Sequence, residues 1–288
     1  MSGDRRVLVT GAAGRLGSAV ARLFAAEGFD LVATDVVEPD EVDYPFVRAD
    51  LRDHLVASSI QADRDVVLHI GNHPGIGPGE APQVVFNENI AINANVFQAA
   101  AERGVGTIVF ASTLQLIGSH PDLRTVVSPP QRPPFPFSGD TEPTPSNLYS
   151  LSKTVSETLL RYYAERCGIA ATALRLPLLH HHEERFVVAS GEERPVDVFE
   201  GFTGLSYADA AALFLAVVRA DLHGYHVFAA GTAHRHRDLG VTDLIRTFYP
   251  GTDPALPDLV DLRPVAEATG WTPGPGYGTT HRPATPGS

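Results

Sequence analysis

The sequence predicts an α/β fold built on a doubly wound parallel sheet with helices on both faces. Three observations carry this. Short apolar runs rich in branched residues alternate with segments of helical spacing, the pattern of repeated βαβ units. A glycine-rich turn separates the first run from the first helical segment, and an aspartate closes the second run. Together they describe a sheet of Rossmann type followed by a smaller C-terminal portion.

The elements follow in order. Arg6–Thr10 reads as the first strand, and Leu16, Val20, Leu23 and Phe24 give the first helix one apolar face, stopped at Gly28. Strands are expected at 31–35, 45–49 and 65–70. A long helix covers about 84–103, with Ile90, Ala94, Phe97 and Ala101 on one face and Gly104 at its end. Residues 107–111 form a fifth strand. Between Ser119 and Ser146 eight prolines forbid a helix or central strand. Helical spacing resumes near Asn147 and ends at Cys167-Gly168, and a strand follows at 171–176. Later pieces are a helix at 207–219, a strand at 225–229 and a helix near 241–248. The domain reading is a dinucleotide-binding domain over 1–177 with a proline-rich insert at 119–146. A mainly substrate-binding portion follows over 178–271, with some segments returning to the core, and then a disordered tail over 272–288.

Composition bounds the function. The chain has 288 residues and a net charge of −12, which argues against a nucleic-acid footprint or an anionic membrane surface. Its longest apolar run, 210–218, is far short of a membrane span. One cysteine, Cys167, cannot form an internal disulfide, so a cytoplasmic protein is expected. Among 22 basic residues only Lys153 is a lysine.

Thr10-Gly11-Ala12-Ala13-Gly14-Arg15-Leu16-Gly17 has the spacing of a tight turn that brings a pyrophosphate to a helix N-terminus. A purely structural glycine turn is the plain alternative, and the strand–turn–helix setting argues against it. Asp35 lies 18 residues beyond Gly17, where a carboxylate accepts both ribose hydroxyls and repels a 2′-phosphate. That favours NAD over NADP; a strand-end turn aspartate is the alternative. Asp50-Leu51 after the third strand is a weaker candidate for the adenine edge.

Tyr149 and Lys153 stand at i and i+4 on one helix face. A nearby ammonium stabilises a tyrosinate, which makes a general base usable near neutral pH. With 8 tyrosines in 288 positions, chance would put one four residues before the lone lysine about 3% of the time. A solvent-facing lysine beside a core tyrosine is the alternative. The run His180-His181-His182 lacks separated ligand pairs, so no metal site is expected.

These motifs resemble the short-chain dehydrogenase/reductase superfamily, in its extended, epimerase-like branch, over nearly the whole chain to about Trp271. The matching pieces are Thr10-Gly-x-x-Gly-x-x-Gly17, Asp35, Asp50-Leu51, Asn89–Asn93, Tyr149-x-x-x-Lys153 and Leu174-Arg-Leu-Pro177. The resemblance implies NAD as cofactor, with Thr113, Tyr149 and Lys153 catalytic. It implies cofactor contacts from Gly11, Ala13, Gly14, Arg15, Leu16, Gly17, Asp35, Asp50, Leu51, Ile70, Gly71, Asn93, Ser112, Tyr149, Lys153 and Leu176. Substrate contacts are expected from Asn72, Thr113, Leu114, Gln115 and Tyr149, and from Arg185 as a fork for a carboxylate; a surface arginine is the alternative for Arg185.

Within that superfamily His69-Ile-Gly71, Phe110–Gly118, Arg161-Tyr-Tyr-Ala164 and Leu205-Ser-Tyr-Ala-Asp209 are similar to uronate dehydrogenases. The activity so implied is hydride transfer from a hydroxyl of a sugar or sugar acid, in that case the C1 hemiacetal of a hexuronic acid, to NAD. Leu114-Gln115 departs from that pattern. A nucleotide-sugar epimerase or dehydratase and a non-catalytic NAD-sensing regulator are the other readings. The resemblance also implies a homodimer through the 84–103 and 147–167 helices.

Overall fold

In a computed structural model the described residues are 5–75, 80–117, 134–181, 200–232 and 239–274. Seven parallel strands form the central sheet in the order β3-β2-β1-β4-β5-β6-β9. They are β1 (Arg6–Thr10), β2 (Asp30–Asp35), β3 (Phe46–Arg48), β4 (Val66–His69), β5 (Thr107–Thr113), β6 (Ala170–Leu176) and β9 (Tyr225–Ala229). A separate parallel pair joins β7 (Leu179–His180) to β8 (Leu205–Ser206).

The strands are apolar on both faces because helices cover both. Alternation divides their side chains between two cores. Val7, Val9, Val66, Leu68, Val109 and Leu174 pack with helix α1 (Arg15–Ala26) and helix α5 (Tyr207–Ala220). Leu8, Val67, Ile108, Phe110 and Ala173 face the opposite way, toward α2 (His54–Ile60), α3 (Pro82–Arg103) and α4 (Leu148–Cys167). Beyond the sheet, α6 (Val241–Phe248) supplies Leu244 and Ile245 to a small cluster with Phe202, Tyr249 and Leu259. Helix α7 (Arg263–Thr269) closes the described C-terminal region.

Several elements differ from expectation. Strand β5 runs two residues further than the apolar run suggests, to Thr113, because Ser112 and Thr113 pair with Arg175 and Leu176 of β6. Helix α2 carries no clear apolar periodicity and is held at its start by Asp53, whose carboxylate accepts from the N–H groups of Leu55 and Val56. Helix α3 is rotated relative to its expected apolar face. Its buried side chains include Asn89 and Asn93, while Ile90, Ala94 and Ala101 are only half-buried. The reason is polar: the two asparagines, one turn apart, bond to serines of α4. Most of the proline-rich insert, the tail after residue 274 and Arg185 lie outside the described residues.

The chain runs from β1 outward to β3, then returns to place β4 on the other side of β1. The carboxyl ends of β1 and β4 therefore diverge, and a crevice opens where the strand order reverses.

Candidate active site

That crevice is a cleft of about 840 Å³ running from the glycine turn to the end of β6. Its floor is Gly11, Gly14–Gly17 and Ile70–Asn72; Asp35, Asp50 and Leu51 line one end, and Ser112, Thr113, Gln115, Tyr149, Lys153 and Leu176 the other.

The glycines of the turn are there because backbone meets backbone. A Cβ on Gly17 would stand 2.0 Å from the carbonyl oxygen of Gly11, and one on Gly11, at φ +73°, would stand 2.7 Å from Gly71. No side chain caps α1, so its first-turn N–H groups open toward the cleft at Gly14–Gly17. Asp35 has a structural duty as well: its carboxylate accepts from the N–H groups of Ala13 (3.0 Å) and Val37 (3.2 Å). Ala13 spends its N–H on Asp35 and is not among the residues that line the cleft. Together the glycine cradle, the uncapped helix and the carboxylate fit the pyrophosphate and ribose of a dinucleotide.

A buried polar chain joins this turn to Lys153. The Lys153 ammonium donates to Asn72 Oδ1 and to the carbonyl of Ala111, both at 2.8 Å. The Asn72 amide donates in turn to Asn93 Oδ1 and to the Gly71 carbonyl, each at 2.8 Å. Asn93 also accepts from His69 Nε2 at 2.7 Å and donates to Ser156 Oγ at 2.6 Å. Since His69 donates from Nε2, its Nδ1 accepts from Thr10 Oγ1 (2.7 Å), which itself accepts from the N–H groups of Ile70 and Gly71. The acceptor role of Asn93 Oδ1 thus sets the tautomer of a neutral His69.

Two expected contacts change as a result. Asn93 is fully buried behind the wall and does not line the cleft. Asn72 lines it, and its bonds to Lys153, Asn93 and Gly71 give it a second duty, that of holding the lysine. Leu114 is a second correction. The 3-10 turn Leu114–Leu116 sends Leu114 and Leu116 into an apolar cluster with Ile117 and Phe137, while Gln115 between them reaches the cleft.

Burial pushes the Tyr149 hydroxyl up to about 12, a hydrogen bond with Thr113 opposing and the charge of Glu200 adding. Burial also draws the Lys153 ammonium down to about 7, against the pull of Glu157. The Lys153 nitrogen stands 5.9 Å from the centre of the tyrosine ring, and burial dominates the shift of the Tyr149 hydroxyl. Beneath Thr113, Ser112 Oγ donates to Glu157 (2.6 Å), and the guanidinium of Arg175 forks onto the same carboxylate at 3.1 and 2.8 Å. Arg175 also donates to the Thr141 carbonyl at 2.7 Å, so the pair locks β5, β6 and α4 beneath the Thr113 and Tyr149 hydroxyls.

Burial pushes His69 down to about 3, with Lys153 adding and the Asn93 bond opposing. A folded-state pKa below the unfolded value means stability is full above about 6.5 and is lost as the pH falls toward 3. The His69 contribution between pH 7 and pH 5 is then about 2 kcal/mol. Urea unfolding of His69→Gln is expected to be flatter across that interval by about this amount; equal slopes for variant and parent would refute the buried neutral imidazole.

Sequence reading missed Glu200, Tyr207 and the loop Pro177–Leu179, which wall or back the far end of the cleft. It also missed a charged rim in which Arg52 bonds Asp50 and Glu88, and Glu88 bonds His73. Pro177 and Tyr207 fall inside segments that carry the resemblance yet receive no role in the site from it, and the others are brought in by the fold alone. Among the described residues no group of His, Cys, Asp or Glu is arranged to hold a metal, and no helix is long and apolar enough to cross a membrane.

This fold and cleft define a dinucleotide-binding α/β protein, and the chain belongs to the NAD dependent epimerase/dehydratase family, whose model matches residues 7–181. It is an NAD-dependent oxidoreductase. An NAD-dependent glucose-6-phosphate dehydrogenase of Haloferax volcanii is 31% identical over 256 residues, 85% of this chain and 88% of its own. A uronate dehydrogenase of Agrobacterium fabrum is 27% identical over 232 residues, 80% of this chain and 78% of its own. The crystal structure of uronate dehydrogenase from Agrobacterium tumefaciens superposes with a TM-score of 0.67 at 25% identity, covering 96% of this chain and 86% of that one.

Proposed function

We propose that the protein oxidises a hydroxyl of a free sugar or sugar acid, with NAD as the acceptor. The observation that carries this is the convergence of Thr113, Tyr149 and Lys153 at one end of a cleft whose other end is the glycine turn and Asp35. NAD held by the glycine turn and Asp35 would supply the hydride acceptor. Thr113 and Tyr149, hydrogen-bonded to each other, receive the substrate hydroxyl, and Tyr149 takes its proton as the carbon gives up hydride. Lys153 spends two of its three N–H donors on Asn72 and Ala111, leaving one for the cofactor ribose. The alcohol thus becomes a carbonyl, one proton leaves through Tyr149, and NADH forms.

The relatives named above support a sugar or sugar-acid substrate. The half-exposed Leu151, Val155 and Tyr162 along α4, with Val84 on α3, support a homodimer, testable by sedimentation at twice the 30.8 kDa chain mass. The NAD requirement and the single cysteine support a cytoplasmic setting.

The test is NADH formation from a panel of aldoses, hexuronic acids and nucleotide sugars. Oxidation of a free sugar or uronate is expected, with NAD preferred to NADP because Asp35 repels a 2′-phosphate. Interconversion of a nucleotide sugar without net NADH would overturn the dehydrogenase reading.

A further inference from the structure

We propose that Asn93, buried in α3 behind the cleft wall, is a positioning residue: it fixes the Asn72 amide and through it holds the Lys153 ammonium ready for the nucleotide. The inference rests on the role given to Lys153 in the dehydrogenase reading above. The circuit starts and ends on α4. Ser156 Oγ donates to the carbonyl of Ser152 at 2.7 Å, so toward Asn93 it is an acceptor and takes Nδ2 at 2.6 Å. Asn93 Oδ1 is thereby turned toward two donors, His69 Nε2 at 2.7 Å and Asn72 Nδ2 at 2.8 Å. The other Asn72 proton goes to the Gly71 carbonyl, which leaves Asn72 Oδ1 to accept from Lys153 at 2.8 Å. Lys153 stands three residues before Ser156 on one helix face, so the circuit closes.

Each amide in it has one favourable direction. Reversing Asn72 would aim its NH2 at the ammonium and its oxygen at the oxygens of Asn93 and Gly71. Reversing Asn93 would set its NH2 against the donors of His69 and Asn72. Thr10 enforces the same order from the far side. Its hydroxyl accepts from the N–H groups of Ile70 and Gly71 and donates to His69 Nδ1, which leaves Nε2 as the donor. His69, Asn93 and Ser156 are each 0% exposed, where a lost partner is costly. The ammonium is further held by the Ala111 carbonyl at 2.8 Å and by the Phe110 ring, whose centre is 4.6 Å away. A lysine side chain has much rotamer freedom to lose. Here it is ordered before any ligand arrives, so gripping a ribose costs less.

The single lysine makes this hold directly observable. Full-length, cofactor-free protein labelled with 13C at the lysine ε carbon gives the signal of Lys153 alone. A fixed side chain keeps the two protons on that carbon inequivalent, so the parent is expected to show two proton shifts. In Asn93→Leu they should merge, and the Kd for NADH by fluorescence titration should rise about ten-fold. Asn93→Asp keeps the accepting oxygen toward His69 and Asn72 and should keep both shifts. Asn89→Ala breaks the neighbouring bond from α3 to Ser152 of α4 and should keep them too, which separates this hold from helix packing in general. If Asn93→Leu fails to fold, Asn72→Ala removes the tie and leaves the buried bonds of Asn93 to His69 and Ser156 in place; the same merging is expected. A single proton shift in the parent, or two shifts persisting in the folded variant, would overturn the proposal. Should the shifts behave as stated while no sugar yields NADH, the hold stands and the dehydrogenase reading alone fails.

Discussion

Tyr149→Phe is expected to lower kcat by about 10³-fold, within the range that a positioned acid–base group supplies. The ring fills the same space, so the variant should fold as the parent does. Binding of NAD should change by no more than about two-fold, since the lost group serves the chemical step. The parent's rate of oxidation should climb with pH, because burial pushes Tyr149 up and a base works only when deprotonated. In the variant that rising limb should vanish along with the rate. Stopped-flow measurement of NADH formation reads both features. Full turnover in Tyr149→Phe would move the base elsewhere in the cleft.

The largest effect on stability is expected at Glu157. Its carboxylate and the Arg175 guanidinium are 7% and 4% exposed, and each is the other's counter-ion. Glu157→Gln leaves a buried guanidinium without its charge partner, a change that costs about 3–5 kcal/mol. It also weakens the bond that holds Ser112, next to Thr113 in β5. Urea unfolding at neutral pH measures the loss, and a value below about 1 kcal/mol would show that the pair adds little. Replacing both partners by apolar residues of similar volume should recover much of it, because the desolvation cost then disappears too.

How much of this was legible in the chain depends on whether a feature is encoded by near neighbours. The glycine turn, Asp35 and the Tyr149–Lys153 pair are local: fixed spacings on a turn, a strand end and one helix face. Each lines the cleft in the structure. The hydrogen-bond chain from Thr10 through His69, Asn93 and Asn72 to Lys153 joins two strand ends and two helices. Its residues span 144 positions of sequence, and no pattern along the chain announces their meeting. Asn89 and Asn93 were visible as residues, yet their burial was not, since polar groups are placed inside only where partners await them. Leu114 and Gln115 illustrate a different limit. Strand alternation could not say which would face the cleft, because a 3-10 turn begins between Thr113 and Leu114. Glu200 returns from 85 residues away to meet Gln115, a distance over which periodicity carries no information.

Lys153, the single lysine of the chain, is 3% exposed and bonded at its nitrogen to Asn72 and Ala111. For anyone handling the protein, this puts the one side-chain amine of the sequence out of easy reach. Acylating dyes, biotin esters and amine-coupled sensor surfaces should therefore leave Lys153 largely unmodified. The buried amine, drawn down to about 7, is uncharged over much of the alkaline range, so a reagent small enough to enter the cleft would find it nucleophilic.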